Sequence, residues 1–90
     1  MEVQDEPPQA IKDLKAQGNC TCHPYMNQYI WQGRNVYVML VNDALNIDYI
    51  CDWIPVYYDS NGERFTLPAG YTNEKFQKNS RFVKNVWACD

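Results

Sequence analysis

Cysteine side chains, with a single histidine beside one of them, are the residues of this sequence whose types suggest chemistry. The four cysteines are spread along most of the chain, at Cys20, Cys22, Cys51 and Cys89. An even number of cysteines in a chain of 90 residues is typical of a disulfide framework, and such frameworks persist in oxidising compartments. We therefore expect an extracytoplasmic protein that is secreted, periplasmic or held at the cell surface.

The spacing of the cysteines limits how they can pair. A bond between Cys20 and Cys22 would close a very small ring that disulfide torsions disfavour, so two long bridges are expected. Two arrangements stay open: Cys20–Cys51 with Cys22–Cys89, or Cys20–Cys89 with Cys22–Cys51. Either would close loops of about 30 to 70 residues, and each bridge would stabilise the fold by about 3 to 5 kcal/mol through the entropy of the unfolded chain. The alternative is four reduced, buried thiols.

Metal binding and catalysis are the other roles that these side chains allow. A zinc site would use the four cysteines, or His23 in place of one, but paired C-x-x-C or H-x-x-x-H spacing is missing. His23 directly follows Cys22, which places it badly to act as a base for that thiol. No nucleophile, base and orienting group stand at recognisable spacing. We therefore predict no enzyme, no cofactor and no metal.

The composition indicates one ordered domain. The chain is 46% hydrophobic and 14% aromatic, which argues against disorder. Its net charge of −3 supplies no basic field for nucleic acid. The longest apolar run, residues 36–41, is far shorter than the roughly 20 residues that span a bilayer. Residues 1–6 lack the features of a signal peptide, so we interpret the chain as a mature form, with 1–6 a flexible tether and 7–90 a single domain.

The elements that position the cysteines begin with a helix. Pro7 and Pro8 follow two carboxylates, which is typical of a helix start, and Gly18 is a stop signal. Between them Ile11 and Leu14 share an apolar stripe. We predict a helix over residues 8–17 that lies on one side of a sheet.

Two hairpins and a last strand complete the predicted sheet. Residues 28–31 and 36–41 flank a turn that contains Gly33. In the second hairpin, Asn61-Gly62 predicts a bulged turn with Tyr58 opposite Arg64. Residues 72–78 predict a short capped helix and 81–89 a final strand. The fold class is therefore α+β, with an N-terminal helix on a mainly antiparallel sheet of about five strands, stapled by disulfides.

The hairpin sequences also carry a resemblance. The segments from Tyr29 to Val38 and from Pro55 to Gly62, with a G-x-x-V-Y strand and a Y-D-x-N-G turn, resemble small exported proteins and lipoproteins of Bacteroidetes-type bacteria. The likeness covers about residues 29–67. It implies a bacterial exported protein and, for the lipoprotein members, a lipid tether in the native form, although the sequence shows no lipobox cysteine. It implies no catalytic residues.

A second apolar face of the predicted sheet suggests a function. The hairpin turns place Tyr29, Trp31, Val36, Val38 and Leu40 on the face expected to form the core. The opposite face carries seven further residues, which we predict as an interaction surface: Ile30, Tyr37, Met39, Val41, Ile54, Val56 and Tyr58. A helix with one apolar stripe covers only one face, and exposed patches of this kind mark binding surfaces.

The predicted function is therefore a binding module that acts through a protein partner or through self-association, with neither nucleic acid nor a membrane span involved. The other reading of the second face is that the loop over residues 42–52 and the short C-terminal helix fold across it. A secreted inhibitor of a protease or toxin is a further alternative, because small stapled domains present rigid loops such as Gln32-Gly33. A glycan-binding domain is another, through an exposed Trp31, Trp53 or Trp87.

Overall fold

The computed structural model describes residues 3–17, 23–41 and 55–89. In this part of the chain the elements are α1 Gln9–Gln17, β1 Pro24–Trp31, β2 Arg34–Val41, β3 Val56–Tyr58, β4 Arg64–Phe65, α2 Asn73–Asn79 and β5 Ser80–Ala88. The strands form one antiparallel sheet in the order β4-β3-β2-β1-β5. The predicted α+β class and the predicted antiparallel sheet of five strands are confirmed. Neither of these helices is long and apolar enough to cross a membrane.

The hairpin of β1 and β2 is the longest paired unit of the sheet. Its pairing runs without interruption from Pro24 opposite Val41 to Trp31 opposite Arg34. The turn between the strands contains only Gln32 and Gly33, whose φ angles are 50° and 76°. Two positive φ angles match the right-handed twist of the strands, which explains the tight turn. Strand β1 begins at Pro24, earlier than the predicted residue 28.

The second hairpin has the predicted register, with Tyr58 opposite Arg64. Its turn is held by Asp59, whose Oδ1 accepts the backbone N–H groups of Asn61 at 2.9 Å and Glu63 at 3.0 Å. Gly62 has a φ of 83°. A Cβ atom at Gly62 would lie 2.9 Å from Cβ of Ala10 in α1, so glycine also lets the helix approach this turn closely.

One face of the sheet, which we call the α2 face, is built from aromatic rings. The ring of Phe76, on α2, is fully buried, and its centroid lies 5.2 Å from that of Tyr57, 5.3 Å from that of Trp31 and 5.4 Å from that of Tyr29. Thr72 caps this helix by accepting the backbone N–H of Lys75. The buried members of the cluster are Tyr29, Trp31, Val36, Val38, Tyr57 and Phe76. These include most of the predicted core.

The opposite face, which we call the α1 face, is covered by the N-terminal helix. Ile11 is fully buried there against Met26 and Tyr37, and Leu14 packs at the margin. The expectation that this face lies open was therefore wrong. Both faces are apolar, so the alternating pattern of the strands could not say which helix covers which face. The short helix α2 covers the first face, which leaves α1 for the second.

Within the predicted tether over residues 1–6, Gln4 contacts the rest of the domain. This residue takes part in four hydrogen bonds, three of which join it to Gln28, Asn35 and Tyr37 of the β1–β2 hairpin. Residues 3–6 are therefore bound to the sheet at least at this point. Residues 1 and 2 lie outside the described residues.

The predicted disulfide staples fall mostly outside the described residues, which do not include Cys20, Cys22 or Cys51. Cys89 is described. It is 3% exposed and belongs to the cluster under α1. Its backbone N–H donates to the carbonyl oxygen of Pro24 at 2.8 Å, which ties the end of the chain to the start of β1. The pairing of the cysteines stays a prediction.

Replacing Phe76 by alanine should destabilise the domain by about 3 to 5 kcal/mol, because the change removes the ring that α2 buries in the aromatic cluster. Urea unfolding followed by tryptophan fluorescence measures this loss. Lys78→Ala on the exposed side of the same helix is the matched control and should change stability by less than about 0.5 kcal/mol. Equal stability of the two variants would show that α2 contributes little to the core.

Candidate functional site

The residues predicted as an interaction surface lie on or beside the α1 face, but few of them are open to solvent. Tyr37 is fully buried. Met39 and Tyr58 are half-buried and pack against the cluster under α1. Ile30, Val41 and Val56 are also half-buried. Ile54 lies outside the described residues. Tyr37 is therefore a core residue, and the predicted patch is not a continuous exposed surface.

The described tryptophans do not offer open rings for stacking on a sugar. Trp31 is 7% exposed, and its Nε1–H donates to the hydroxyl of Tyr71 at 3.2 Å. Trp87 is 8% exposed, and its Nε1–H donates to the carbonyl of Ile11 at 2.9 Å. Trp53 lies outside the described residues. These contacts give Trp31 and Trp87 structural roles.

The side chains considered for metal binding are not brought together by the described part of the chain. Residues 3–17, 23–41 and 55–89 contain no group of three His, Cys, Asp or Glu side chains that could hold a metal ion. His23 is half-buried, its Nδ1 is buried without a hydrogen bond, and its φ is 51°. It is the residue directly before β1.

A cleft lies between the two hairpin turns. Strand β3 pairs with β2 only from Tyr37 to Met39, so the first residues of β2 are not paired with β3. Beyond Tyr58 the chain leaves the sheet in the β3–β4 turn and returns in β4. The gap between the turns has a volume of about 650 Å³, which lies within the ~300–1,000 Å³ range of small-ligand sites.

The floor of the cleft is apolar and its walls are polar. The rings of Trp31 and Phe65 are stacked, with centroids 6.3 Å apart and an interplanar angle of 10°. Val36 and Pro68 extend this apolar surface. The polar side chains along the walls are Gln32, Arg34, Asn35, Asp59, Ser60, Asn61 and Thr66. An apolar floor with a few polar groups around it is the usual form of a binding pocket.

Among the described residues, Arg34 and Asp59 are the charged side chains that line the cleft. Oδ1 of Asp59 accepts two backbone N–H groups of its own turn, which partly neutralise the carboxylate. Arg34 is exposed and forms no ion pair with a described carboxylate, since the described pairs join Lys12 to Glu6 and Lys78 to Glu74. Among the described residues, Arg34 is therefore the charged side chain of the cleft that no carboxylate pairs with.

Gln4 connects the two walls at the level of the sheet. Its backbone N–H donates to Oδ1 of Asn35 at 3.0 Å, on the β1–β2 hairpin. Its Nε2 donates to the carbonyl of Ser60 at 3.3 Å, on the β3–β4 turn. Its Oε1 accepts the hydroxyl of Tyr37 at 2.5 Å, and its carbonyl accepts Nε2 of Gln28 at 2.9 Å. Gln4 thus links the two turns that border the cleft.

Sequence reasoning identified both turns but missed the cleft. Gln32-Gly33 and Asn61-Gly62 stood out as turn signals, and residues of both turns line the cleft. Their approach depends on β3 lying next to β2 and on β3 ending after Tyr58. The sequence did contain a signal for this site. Arg34 is a cation beside a tight turn, with no acidic residue among its nearest neighbours in the chain.

Comparison of the chain with protein-family models, curated proteins and solved structures gives no match. The resemblance to exported proteins of Bacteroidetes-type bacteria therefore stays a prediction. The geometry of the site carries the functional argument.

Burial raises the pKa of Tyr37 to about 12, from an ordinary value of 10.0. Because the folded protein holds this proton more tightly than the unfolded chain, the contribution to stability is complete below pH 10 and is lost as the pH rises towards 12. Tyr37→Phe should lower stability at neutral pH by about 1 kcal/mol, through loss of the bond to Gln4, and should weaken the alkaline dependence. Urea midpoints measured at about pH 8, 10 and 11 would test this.

Burial also raises the pKa of Tyr57 and of Tyr58, so a smaller alkaline loss should persist in the Tyr37→Phe variant. Stability curves that fall in parallel for the variant and the wild type would contradict the role assigned to Tyr37. An absorbance titration of the tyrosines provides an independent check. The wild type should contain one phenol that ionises at a higher pH than any phenol of the Tyr37→Phe variant.

Proposed function

We propose that this protein is a binding module that holds a segment of a protein partner in the cleft between its hairpin turns. The observation that carries the proposal is a preformed cleft with an apolar floor and an arginine that has no acidic partner among the described residues. Polar side chains on both walls can orient a bound chain. This proposal keeps the predicted class of function and moves its surface from the α1 face to the cleft.

The edges of the described sheet favour a different protein as partner over a second copy of this chain. Strand β5 is the last strand on one side, and its pairing with β1 has two register shifts, between Met26 and Asn27 and between Gln28 and Tyr29. Shifts of this kind bend an edge strand and hinder its pairing with another strand. On the other side, β4 is only Arg64–Phe65, too short to recruit a strand.

The charges on β5 also disfavour pairing with a second copy of this chain. Arg81 and Lys84 are both exposed, and an antiparallel pair of identical β5 strands would bring cations of the two copies near each other. Phe82, 56% exposed, is the large hydrophobic residue that this strand leaves open. A single exposed ring is common on monomeric proteins and gives no argument for a dimer.

We propose further that the protein acts outside the cytoplasm and is stapled by disulfides. The support is the position of Cys89, which is almost completely buried in the cluster under α1. A bridge from this residue would join the last strand to a distant part of the chain, where cross-links stabilise small domains most. The extracytoplasmic location follows from such staples, because they persist in oxidising compartments.

Blocking the cleft should abolish the binding of partner segments. Linear peptides are selected from a random library displayed on phage, against the immobilised wild-type protein. Thr66→Trp should reduce their affinity at least tenfold, because the added ring occupies the cleft, and Asn61→Trp should act from the opposite wall. Both positions are exposed, so the fold should tolerate the larger side chain.

Lys78→Trp, on the exposed side of α2, is the matched control for the same substitution outside the cleft. Its affinity for the selected peptides should equal that of the wild type. Thermal unfolding verifies that all three variants are folded. Peptides that bind the two blocked variants as well as they bind the wild type would place recognition elsewhere and refute the proposed site.

The disulfide proposal predicts that protein purified without reductant resists alkylation at every cysteine, and that all four cysteines react after reduction. Intact-mass analysis before and after reduction counts the reactive thiols. Reduction should also lower the stability by several kcal/mol, about 3 to 5 for each long bridge. Four thiols that react in never-reduced protein would remove both the staples and the argument for an extracytoplasmic location.

A further inference from the structure

We infer that the segment held in the cleft is acidic, with a carboxylate that pairs with the guanidinium of Arg34. This inference rests on the proposed function, because it assigns the chemistry of the ligand for the same site. Its starting point is the uneven charge of the cleft. The guanidinium on one wall has no partner among the described carboxylates, whereas the carboxylate on the other wall is engaged by its own turn.

The position of Arg34 is well defined by the backbone. It pairs with Trp31 across the tight turn, and paired residues of an antiparallel hairpin project on the same face of the sheet. The guanidinium therefore starts from the same face as the rings of Trp31 and Phe65. An arginine can bind a carboxylate through two parallel N–H groups, which gives direction as well as energy.

Asp59 does not cancel this preference. Its Oδ1 accepts N–H groups at 2.9 and 3.0 Å, so this carboxylate works as the lock of the β3–β4 turn. Oδ1 of Asp59 is already occupied by those two bonds, so a cationic group of a ligand would have only Oδ2 available. A ligand carboxylate at Arg34 would break no ion pair among the described residues. The electrostatic preference of the cleft is therefore for an anion on the wall formed by the β1–β2 hairpin.

The apolar floor adds a second requirement. Trp31 and Phe65 line the cleft together with Arg34, so a ligand that reaches Arg34 also lies beside the accessible parts of these rings. An acidic residue beside an apolar or aromatic one in an extended peptide meets both requirements. A sugar fits less well, because one face of the Trp31 ring is stacked on Phe65 and the side chain is 7% exposed.

Paired peptides test the inference. Each peptide that binds the cleft is compared with a version in which Asp becomes Asn and Glu becomes Gln, by titration followed in two-dimensional NMR. The acidic version should bind the wild type roughly five- to tenfold more tightly than the amide version at low salt. Arg34→Gln should remove this difference, Arg34→Lys should keep part of it, and added salt should reduce it.

Arg81→Gln is the matched control, since Arg81 is an exposed arginine that does not line the cleft, and it should behave as the wild type. Peptides that bind the cleft with no acidic preference, or with equal affinity for the Arg34→Gln variant, would overturn the inference while the proposed function stands. If no selected peptide shifts the cleft resonances of the wild type, the proposed function fails as well. If oligogalacturonate bound more tightly than the peptides, and this binding depended on Arg34, the ligand of the cleft would be an acidic sugar and not a peptide.

Discussion

Strand β1 is paired along both of its edges, with β2 on one side and β5 on the other, and the rest of the molecule is arranged around this constraint. A strand in the middle of a sheet must present side chains to two faces, and here both faces are apolar. A domain of this size has few elements with which to cover them. One helix serves each face, and each helix inserts one fully buried side chain: Ile11 from α1 and Phe76 from α2.

The local structure was predictable because it depends on neighbours in the chain. The stripe of Ile11 and Leu14 predicts α1, and the register of Tyr58 with Arg64 follows from the turn between them. The side of the sheet that each helix covers was not predictable, since both faces offer aromatic and aliphatic residues at alternate positions. The role of Gln4 was not predictable either, because no sequence pattern shows which distant residues a glutamine near the N-terminus will bond to.

The candidate site illustrates why function was harder to infer than fold. Each of its walls is a turn that the sequence identifies, yet the cleft exists only because β3 ends while β2 continues. The side chains that define it come from segments about thirty residues apart. Their proximity is a property of strand order. The residue that gives the cleft its chemistry, Arg34, would count as an ordinary surface cation if the second turn were not beside it.

Gln28 has a consequence for how the strands find their alignment. This side chain is fully buried on the α1 face, where its Nε2 reaches the carbonyl of Gln4 and Oδ1 of Asn35. If β1 slipped by one residue, the amide would turn towards the rings around Phe76 and lose its bonds to Gln4 and Asn35. A buried amide without partners is costly, so an apolar residue here would permit misaligned hairpins that glutamine excludes.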